Sequence, residues 1–137
     1  MKLIKISIVP ILLSMFLFSC SSAINKAEKT ATLFYFYDMR QDYRDLIPLL
    51  DEKMLSNVKP QKWIQTLRNI QLERGAITKY NPTKVEVFKD TNNNLIVRFV
   101  YKVYYDKSTN TEELLLIQRR SKAPFKIIKY TYNYRMK

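Results

Sequence analysis

The hydrophobic pattern of the chain changes twice, from an unbroken apolar run to helical spacing and then to strict alternation. Ile6 to Phe18 form a run of thirteen residues without a charge, and Lys2 and Lys5 precede it. A membrane-spanning helix needs about 20 apolar residues, whereas the hydrophobic region of a signal peptide needs roughly 7–15. A buried core helix would also show a polar face, which this run lacks. We therefore predict that residues 1–19 are a signal peptide.

Helical spacing begins after this run and predicts a helix from about Asn25 to Met39. Its main stripe carries Ala27, Ala31, Phe34 and Asp38. A second helical segment is predicted from Asp42 to Met54, with Asp42 as N-cap and Asp45 as a capping-box variant. Because proline disfavours helix at the residue before it, Pro48 predicts a break within this segment.

A third helix is predicted to begin at Pro60, since proline is tolerated in the first turn. Trp63, Leu67 and Ile70 follow at helical spacing and form one apolar face. Gly75, the only glycine of the chain, stands where a left-handed cap would end the helix.

From Ala76 onward the pattern alternates and predicts strands. A strand containing Val85 and Val87 precedes a turn at 90–94, and residues 95–106 then alternate with their odd-numbered side chains toward the core. Turns at 107–110 and 121–124 separate two more strands, over 112–119 and 125–134. Helices followed by a meander predict an α+β fold, in which N-terminal helices pack on one face of a curved four-stranded antiparallel sheet.

Composition supports one folded domain in this chain of 137 residues. The chain is 47% hydrophobic and 13% aromatic, which argues against disorder. A single α+β domain is predicted over 27–137, with residues 20–26 as a short tether.

Charge is the unusual bulk property. Without Lys2 and Lys5 the chain keeps 22 basic and 12 acidic residues, and 12 of the basic but only 5 of the acidic residues lie from Lys84 onward. This balance suits anionic lipid head groups, lipopolysaccharide phosphates or acidic polymers. The alternative is a dispersed solvated surface, because no dense Lys/Arg run is present. Nucleic acid is not an expected partner of an exported protein.

The sequence Leu17-Phe18-Ser19-Cys20 resembles the lipobox of bacterial lipoproteins. In that family an aliphatic residue at the position of Leu17 and a small residue at Ser19 form the cleavage motif, and the thiol of Cys20 is linked to a diacylglycerol. Phe18 is larger than the usual residue, which implies slower cleavage. The resemblance implies lipidation at Cys20 and a stable membrane anchor, and Ser21 implies the periplasmic face of the outer membrane. The alternative is an ordinary secretory leader with an incidental cysteine.

A second resemblance concerns the fold and rests on four sequence stretches. They are Gly75-Ala76-Ile77, Val100-Tyr101-Lys102-Val103-Tyr104-Tyr105, Glu112-Glu113-Leu114 and Phe125-Lys126-Ile127-Ile128. Together with the three preceding helices they resemble the cystatin-like, nuclear-transport-factor-2-like roll, and most of all the small uncharacterised bacterial lipoproteins built on it. The similarity covers Ala23 to Tyr134. Members of this superfamily include enzymes, pocket binders and dimerising scaffolds, so the resemblance leaves function open.

The residue inventory excludes several chemistries. The chain contains no histidine, and its only cysteine is the predicted lipidation site. Catalysis and metal ligation by imidazole or thiolate are therefore not expected. We predict no catalytic residue, cofactor or metal site.

Aromatic and basic side chains of the predicted strands form the candidate surface. Four tyrosines are predicted to line a concave cleft or a partner surface: Tyr101, Tyr105, Tyr130 and Tyr132. They are core residues instead if the helices cover them. Arg98 and Lys102, together with Arg119 or Arg120, are predicted as a small anion site on the outer face of the sheet, with an ordinary charged face as the alternative.

Two hypotheses about function are compatible with these observations. The preferred hypothesis is a non-enzymatic lipoprotein module that binds an unknown protein or an anionic ligand, with a homodimer as one arrangement. The alternative is an isomerase or hydrolase with tyrosines and a carboxylate such as Asp38, as in ketosteroid isomerase on this kind of roll. We expect Asp38 to end an exposed helix edge instead. The adjacent pairs Asp51-Glu52 and Glu112-Glu113 are expected to point apart and to face solvent beside Lys or Arg.

Overall fold

The computed structural model describes the backbone of residues 8–135 and the side chains of residues 21–135. The four α-helices are α1 (Ile8–Met39), α2 (Tyr43–Leu46), α3 (Glu52–Asn57) and α4 (Pro60–Arg74), with a 3₁₀ turn at Ile47–Leu49 between α2 and α3. The four strands are β1 (Ile77–Lys89), β2 (Leu95–Tyr105), β3 (Thr109–Gln118) and β4 (Lys126–Thr131).

The strands form one antiparallel sheet in the order β1-β2-β3-β4, and α1 contacts all four of them. This arrangement confirms the predicted α+β fold with a four-stranded meander. The predicted inward face of β2 is also confirmed, because its odd-numbered residues from 97 to 105 belong to the core: Val97, Phe99, Tyr101, Val103 and Tyr105. The burial of these residues against α1 holds the two layers together.

Helix α1 begins well before the predicted residue 25. Residues 21–26, which were predicted as a tether, are helical, and Ala23 is buried. No helix breaker separates the apolar run from the helical stripe, so one helix continues from Ile8 in that run through the stripe. The side chains of Leu17, Ser19 and Cys20, the predicted cleavage motif and lipidation site, lie outside the described residues. Over residues 8–135, no helix has both the length and the apolar character needed to span a membrane.

The predicted second helical segment is divided into three pieces. Pro48 lies in the 3₁₀ turn, so the α-helix is interrupted where the proline predicted a break. Leu50 then forms an isolated bridge with Ile127. Asp42 occupies the predicted cap position, but its side chain makes no capping hydrogen bond. The side chain of Asp51, by contrast, caps α3, since its Oδ2 accepts a hydrogen bond from the Lys53 amide at 3.1 Å.

Gly75 ends α4 at the predicted residue. Its amide donates to the Gln71 carbonyl, and its φ of 86° with ψ of 179° differs from the predicted left-handed cap, because ψ is extended. A side chain there would place its Cβ 2.7 Å from the Cβ of Asp106. The position therefore requires glycine for both conformation and space.

Two strands differ from their predicted bounds. β1 begins at Ile77 rather than near Val85 and has a register shift just after Pro82, which an edge strand tolerates. β4 ends at Thr131 rather than at residue 134, and its pairing with β3 shifts by one residue at Ile128. Because of this shift, Ile127 and Tyr130 both lie on the core side of the sheet.

Candidate functional site

A fully buried carboxylate lies between α1 and the sheet. Glu112 is 0% exposed. Its Oε1 accepts hydrogen bonds from the hydroxyls of Tyr35 at 3.1 Å and Tyr130 at 3.0 Å. Its Oε2 accepts from the Tyr105 hydroxyl at 2.5 Å and from Asn110 Nδ2 at 3.0 Å. We call these five residues the Glu112 cluster.

Four elements bring the Glu112 cluster together. Tyr35 comes from the C-terminal part of α1, Tyr105 from the end of β2, and Asn110 and Glu112 from the same face of β3. Tyr130 reaches the cluster from β4 because of the register shift at Ile128. The cluster therefore depends on the sheet and α1 being assembled at once.

Burial controls the protonation of the cluster. Desolvation raises the pKa of Glu112, and the four hydrogen bonds that stabilise the carboxylate oppose this rise. Burial, and then the negative charge of Glu112, raise the pKa of the Tyr35, Tyr105 and Tyr130 hydroxyls above the ordinary tyrosine value. The phenols thus stay protonated at neutral pH and act as donors.

A second buried carboxyl lies nearby at the end of α1. Asp38 is only 2% exposed, and its Oδ1 accepts a 3.0 Å hydrogen bond from Gln71 Nε2. Burial, together with the negative charge of Glu112, raises the pKa of Asp38 to about 7, although the hydrogen bond from Gln71 opposes this rise. The expectation of an exposed helix edge was wrong. Its place on the stripe with Ala31 and Phe34 was the sequence signal for burial.

The predicted concave cleft is closed. Tyr101 and Tyr105 are 1% and 5% exposed, because α1 packs its aromatic side chains onto this face of the sheet. The rings of Tyr35 and Tyr101 lie 4.7 Å apart. Tyr130 is half-buried and also lines a depression of about 170 Å³ beside Trp63.

The last of the four tyrosines is held by α4. Arg74 donates through Nε to the Tyr132 hydroxyl, and its guanidinium lies 5.0 Å from the Tyr132 ring centroid. The same guanidinium donates to Ser108 Oγ at 2.9 Å. Tyr132 thus packs against the core, and Tyr130 and Tyr132 do not form an exposed aromatic strip.

The outer face of the sheet carries a charge network instead of the predicted anion site. Arg98 bonds both Glu86 and Glu113 at 2.9 Å, so its charge is already neutralised. Glu113 is 2% exposed, which corrects its predicted exposure, although its pairing with arginine was expected. Lys102 is exposed, with its ammonium 5.5 Å from the Tyr104 ring. Neither Arg98 nor Lys102 lies on the face of the sheet that carries the four tyrosines.

Arg119 forms an ion pair across the fold rather than joining Arg98. Its Nε and Nη2 bond the two carboxylate oxygens of Asp51 at 3.1 and 2.7 Å. The guanidinium holds the pKa of Asp51 below its usual range. Asp51 is 5% exposed, so its predicted exposure was also wrong. This pair lines a groove of about 570 Å³, which we call the arginine groove because Arg120 lines it too.

A second groove, of about 390 Å³, adjoins the arginine groove. Its cationic lining consists of Lys26, Lys29, Lys122 and Lys126. Its apolar lining includes Leu33, Leu49, Ala123, Pro124 and Phe125. We call it the lysine groove. Sequence reasoning missed it because its lysines come from two segments almost a hundred residues apart, joined only by the packing of α1 on the β3–β4 turn.

No group of three or more potential metal ligands is clustered among the residues that the structure describes. Comparison with protein-family models and with curated proteins finds no match to this chain.

Proposed function

We propose that this protein is a non-enzymatic binding module, anchored by a lipid on Cys20 to the periplasmic face of the outer membrane. Its binding surface consists of the arginine groove and the lysine groove, instead of a cleft in the sheet. The anchor and the compartment are those predicted from the sequence, and the ligand is assigned to these two surface grooves.

The complete burial of Glu112 is the observation that carries this proposal. A reacting carboxylate must reach its substrate, yet Glu112 is 0% exposed and each of its oxygens already accepts two hydrogen bonds. A buried charge that is fully hydrogen-bonded is a stable structural element. The two grooves, by contrast, are open and lined by cations and apolar side chains, with Asp51 and Glu52 also lining the arginine groove, and such mixed lining suits binding.

The position of Cys20 within α1 sets the distance between the proposed lipid and the core. Ala23, three residues later, is already buried in the core. A helix rises about 1.5 Å per residue, so the lipid-bearing residue Cys20 would lie about 5 Å along the helix axis from Ala23, the first core residue. Such a short, helical connection fixes the orientation of the domain at the membrane surface.

The anchor is tested by mass spectrometry of the protein extracted from membranes of producing cells. We expect a chain that begins at Cys20 and carries the mass of a diacylglyceryl group. The variant C20S should lack the diacylglyceryl mass, whereas the matched control S22A should keep it. An intact residue 1 together with an unmodified thiol at Cys20 would contradict the proposal.

The enzyme alternative is favoured by one observation, the meeting of two buried carboxyls with three tyrosine hydroxyls. The pKa of Asp38, about 7, is also in the range useful for proton transfer. A panel of p-nitrophenyl esters and a 3-keto-Δ5-steroid tests this alternative directly. Turnover that is abolished in a folded E112Q variant would establish it, and we expect none above the background rate.

A further inference from the structure

We propose that the lysine groove binds the phosphate of an anionic membrane lipid. This inference rests on the proposed membrane anchor and names the partner of one of its two grooves. The ligand chemistry is a phosphodiester head group with the first carbons of its glycerol ester.

The arrangement of charges supports this assignment. Lys26 and Lys29 lie one helical turn apart on the same side of α1. Lys122 and Lys126 face them from the β3–β4 turn and the start of β4. No acidic side chain lines the groove, and within residues 21–135 none of the four lysines forms an ion pair with a carboxylate. The groove therefore concentrates positive charge without internal neutralisation.

The mixed lining of the groove favours a lipid over free phosphate. Leu33, Leu49 and Phe125 present apolar surface directly beside the ammonium groups. A free phosphate has nothing to place there, whereas a phospholipid carries its glycerol ester next to the phosphate. Burying that apolar part contributes hydrophobic free energy to binding, and a free anion lacks this contribution.

The backbone of Lys122 adds an independent observation. Its φ is 67°, in the left-handed region where glycine or asparagine is the usual choice. The turn is closed by the Ala123 amide, which donates to the Arg120 carbonyl at 3.1 Å. A lysine in such a conformation costs stability, and strained residues of this kind concentrate where a ligand is held.

The groove lies close to the proposed anchor. Lys26 follows Cys20 by six residues of α1, which corresponds to about 9 Å along the helix axis. The polar head-group layer on each side of a bilayer is about 5–8 Å thick. A domain anchored at Cys20 would therefore hold Lys26 at about the outer edge of this layer, near the phosphates of the surrounding lipids.

The test uses the full protein as extracted from the membranes of producing cells, in a neutral, non-ionic detergent. Native mass spectrometry counts bound dioleoyl phosphatidylglycerol and, separately, bound dioleoyl phosphatidylcholine. The groove variant is K26Q/K29Q/K122Q; Lys126 is left in place because its Nζ also donates to the Pro48 carbonyl at 2.7 Å. The matched control, K79Q/K89Q/K107Q, removes the same charge from exposed lysines outside both grooves.

We expect the wild type to prefer phosphatidylglycerol. A lysine near an anionic surface is worth about 1 kcal/mol, roughly fivefold in affinity, so the groove variant should lose at least about tenfold and the control less than about twofold. Equal binding of the two lipids, or equal losses in both variants, would overturn the proposal. So would complete displacement of the lipid by millimolar sodium phosphate.

The same spectra separate this proposal from the anchor on which it rests. An unmodified thiol at Cys20 combined with a retained preference for phosphatidylglycerol would contradict the anchor and support the groove. A diacylglyceryl mass at Cys20 without any lipid preference would support the anchor and overturn the groove.

Discussion

Tyr105 and Glu112 lie on opposite arms of the β2–β3 hairpin, and the Tyr105 hydroxyl donates a 2.5 Å hydrogen bond to Glu112 Oε2. The contact joins the last residue of β2 to the inward face of β3 across a short turn. Tyr35 and Tyr130 bring α1 and β4 to the other oxygen of the same carboxylate. One buried charge therefore connects the helix layer to three of the four strands.

Removing the Tyr105 hydroxyl tests how much this connection stabilises the fold. A hydrogen bond to a charged group contributes about 1.5–3 kcal/mol, so we expect Y105F to lower the free energy of unfolding by about that amount. Urea denaturation at pH 7 measures the change. The control Y104F removes a hydroxyl that does not contact Glu112, and it should stay within about 0.5 kcal/mol of the wild type. Equal stabilities of the two variants would show that the cluster contributes nothing.

The raised pKa of Asp38 predicts an unusual dependence of the free energy of unfolding on pH. Its pKa is about 7 in the folded protein against an ordinary value of 3.8, so the unfolded chain ionises first as pH rises. The contribution of Asp38 to the free energy of unfolding therefore falls between pH 4 and pH 7, by on the order of 3–4 kcal/mol. Asn at this position keeps an oxygen acceptor for Gln71 and cannot ionise.

We accordingly expect D38N to become more stable relative to the wild type as pH rises from 4 to 8. Urea denaturation at both pH values gives the two differences. The control D106N changes an exposed aspartate of the β2–β3 turn and should leave the pH profile unchanged. A D38N profile parallel to that of the wild type would mean that the Asp38 carboxyl ionises normally in the folded protein.

Asp51 makes two separable contributions, a helix cap and an ion pair with Arg119. D51N keeps a capping oxygen and loses the charge, and because Arg119 is partly exposed we expect a loss of only about 0.5–1 kcal/mol at pH 7. D51A loses the cap as well and should cost about 1 kcal/mol more. Thermal or urea unfolding of both variants measures the two steps.

The pH dependence of Asp51 has the opposite sign to that of Asp38. The pKa of Asp51 is lowered in the folded protein, so its contribution is present above pH 4 and disappears as pH falls through the folded pKa. The difference between D51N and the wild type should shrink on acidification toward pH 3. A difference that is constant from pH 7 to pH 3 would argue against the ion pair.

A substitution of Gly75 tests the connection between α4 and β1. G75A forces a side chain into a φ of 86° and brings its Cβ within 2.7 Å of the Asp106 Cβ. We expect a loss of at least about 1–3 kcal/mol in the free energy of unfolding. N69A, at an exposed position of the same helix, is the control and should be close to neutral. A neutral G75A would show that the chain relaxes at this connection without cost.

Much of the fold was predictable because it depends on the periodic spacing of hydrophobic residues within single helices and strands. The alternation from residue 95 to 105 predicted the inward face of β2, and Pro48 and Gly75 predicted a break and a helix end at the correct residues. The site was less predictable. Glu112 was expected in solvent, although it lies two residues before Leu114 on the same face of β3, which was the available signal.

The sequence by itself determined the order of helices and strands, the side of β2 that meets the helices, and the excess of positive charge. Only the tertiary structure decided which charges are buried and which cations share a groove. Tyr35 and Glu112 are 77 residues apart, and Arg119 and Asp51 are 68 apart. A carboxylate is stable inside a protein only when donors surround it, and those donors come from segments that meet only after folding.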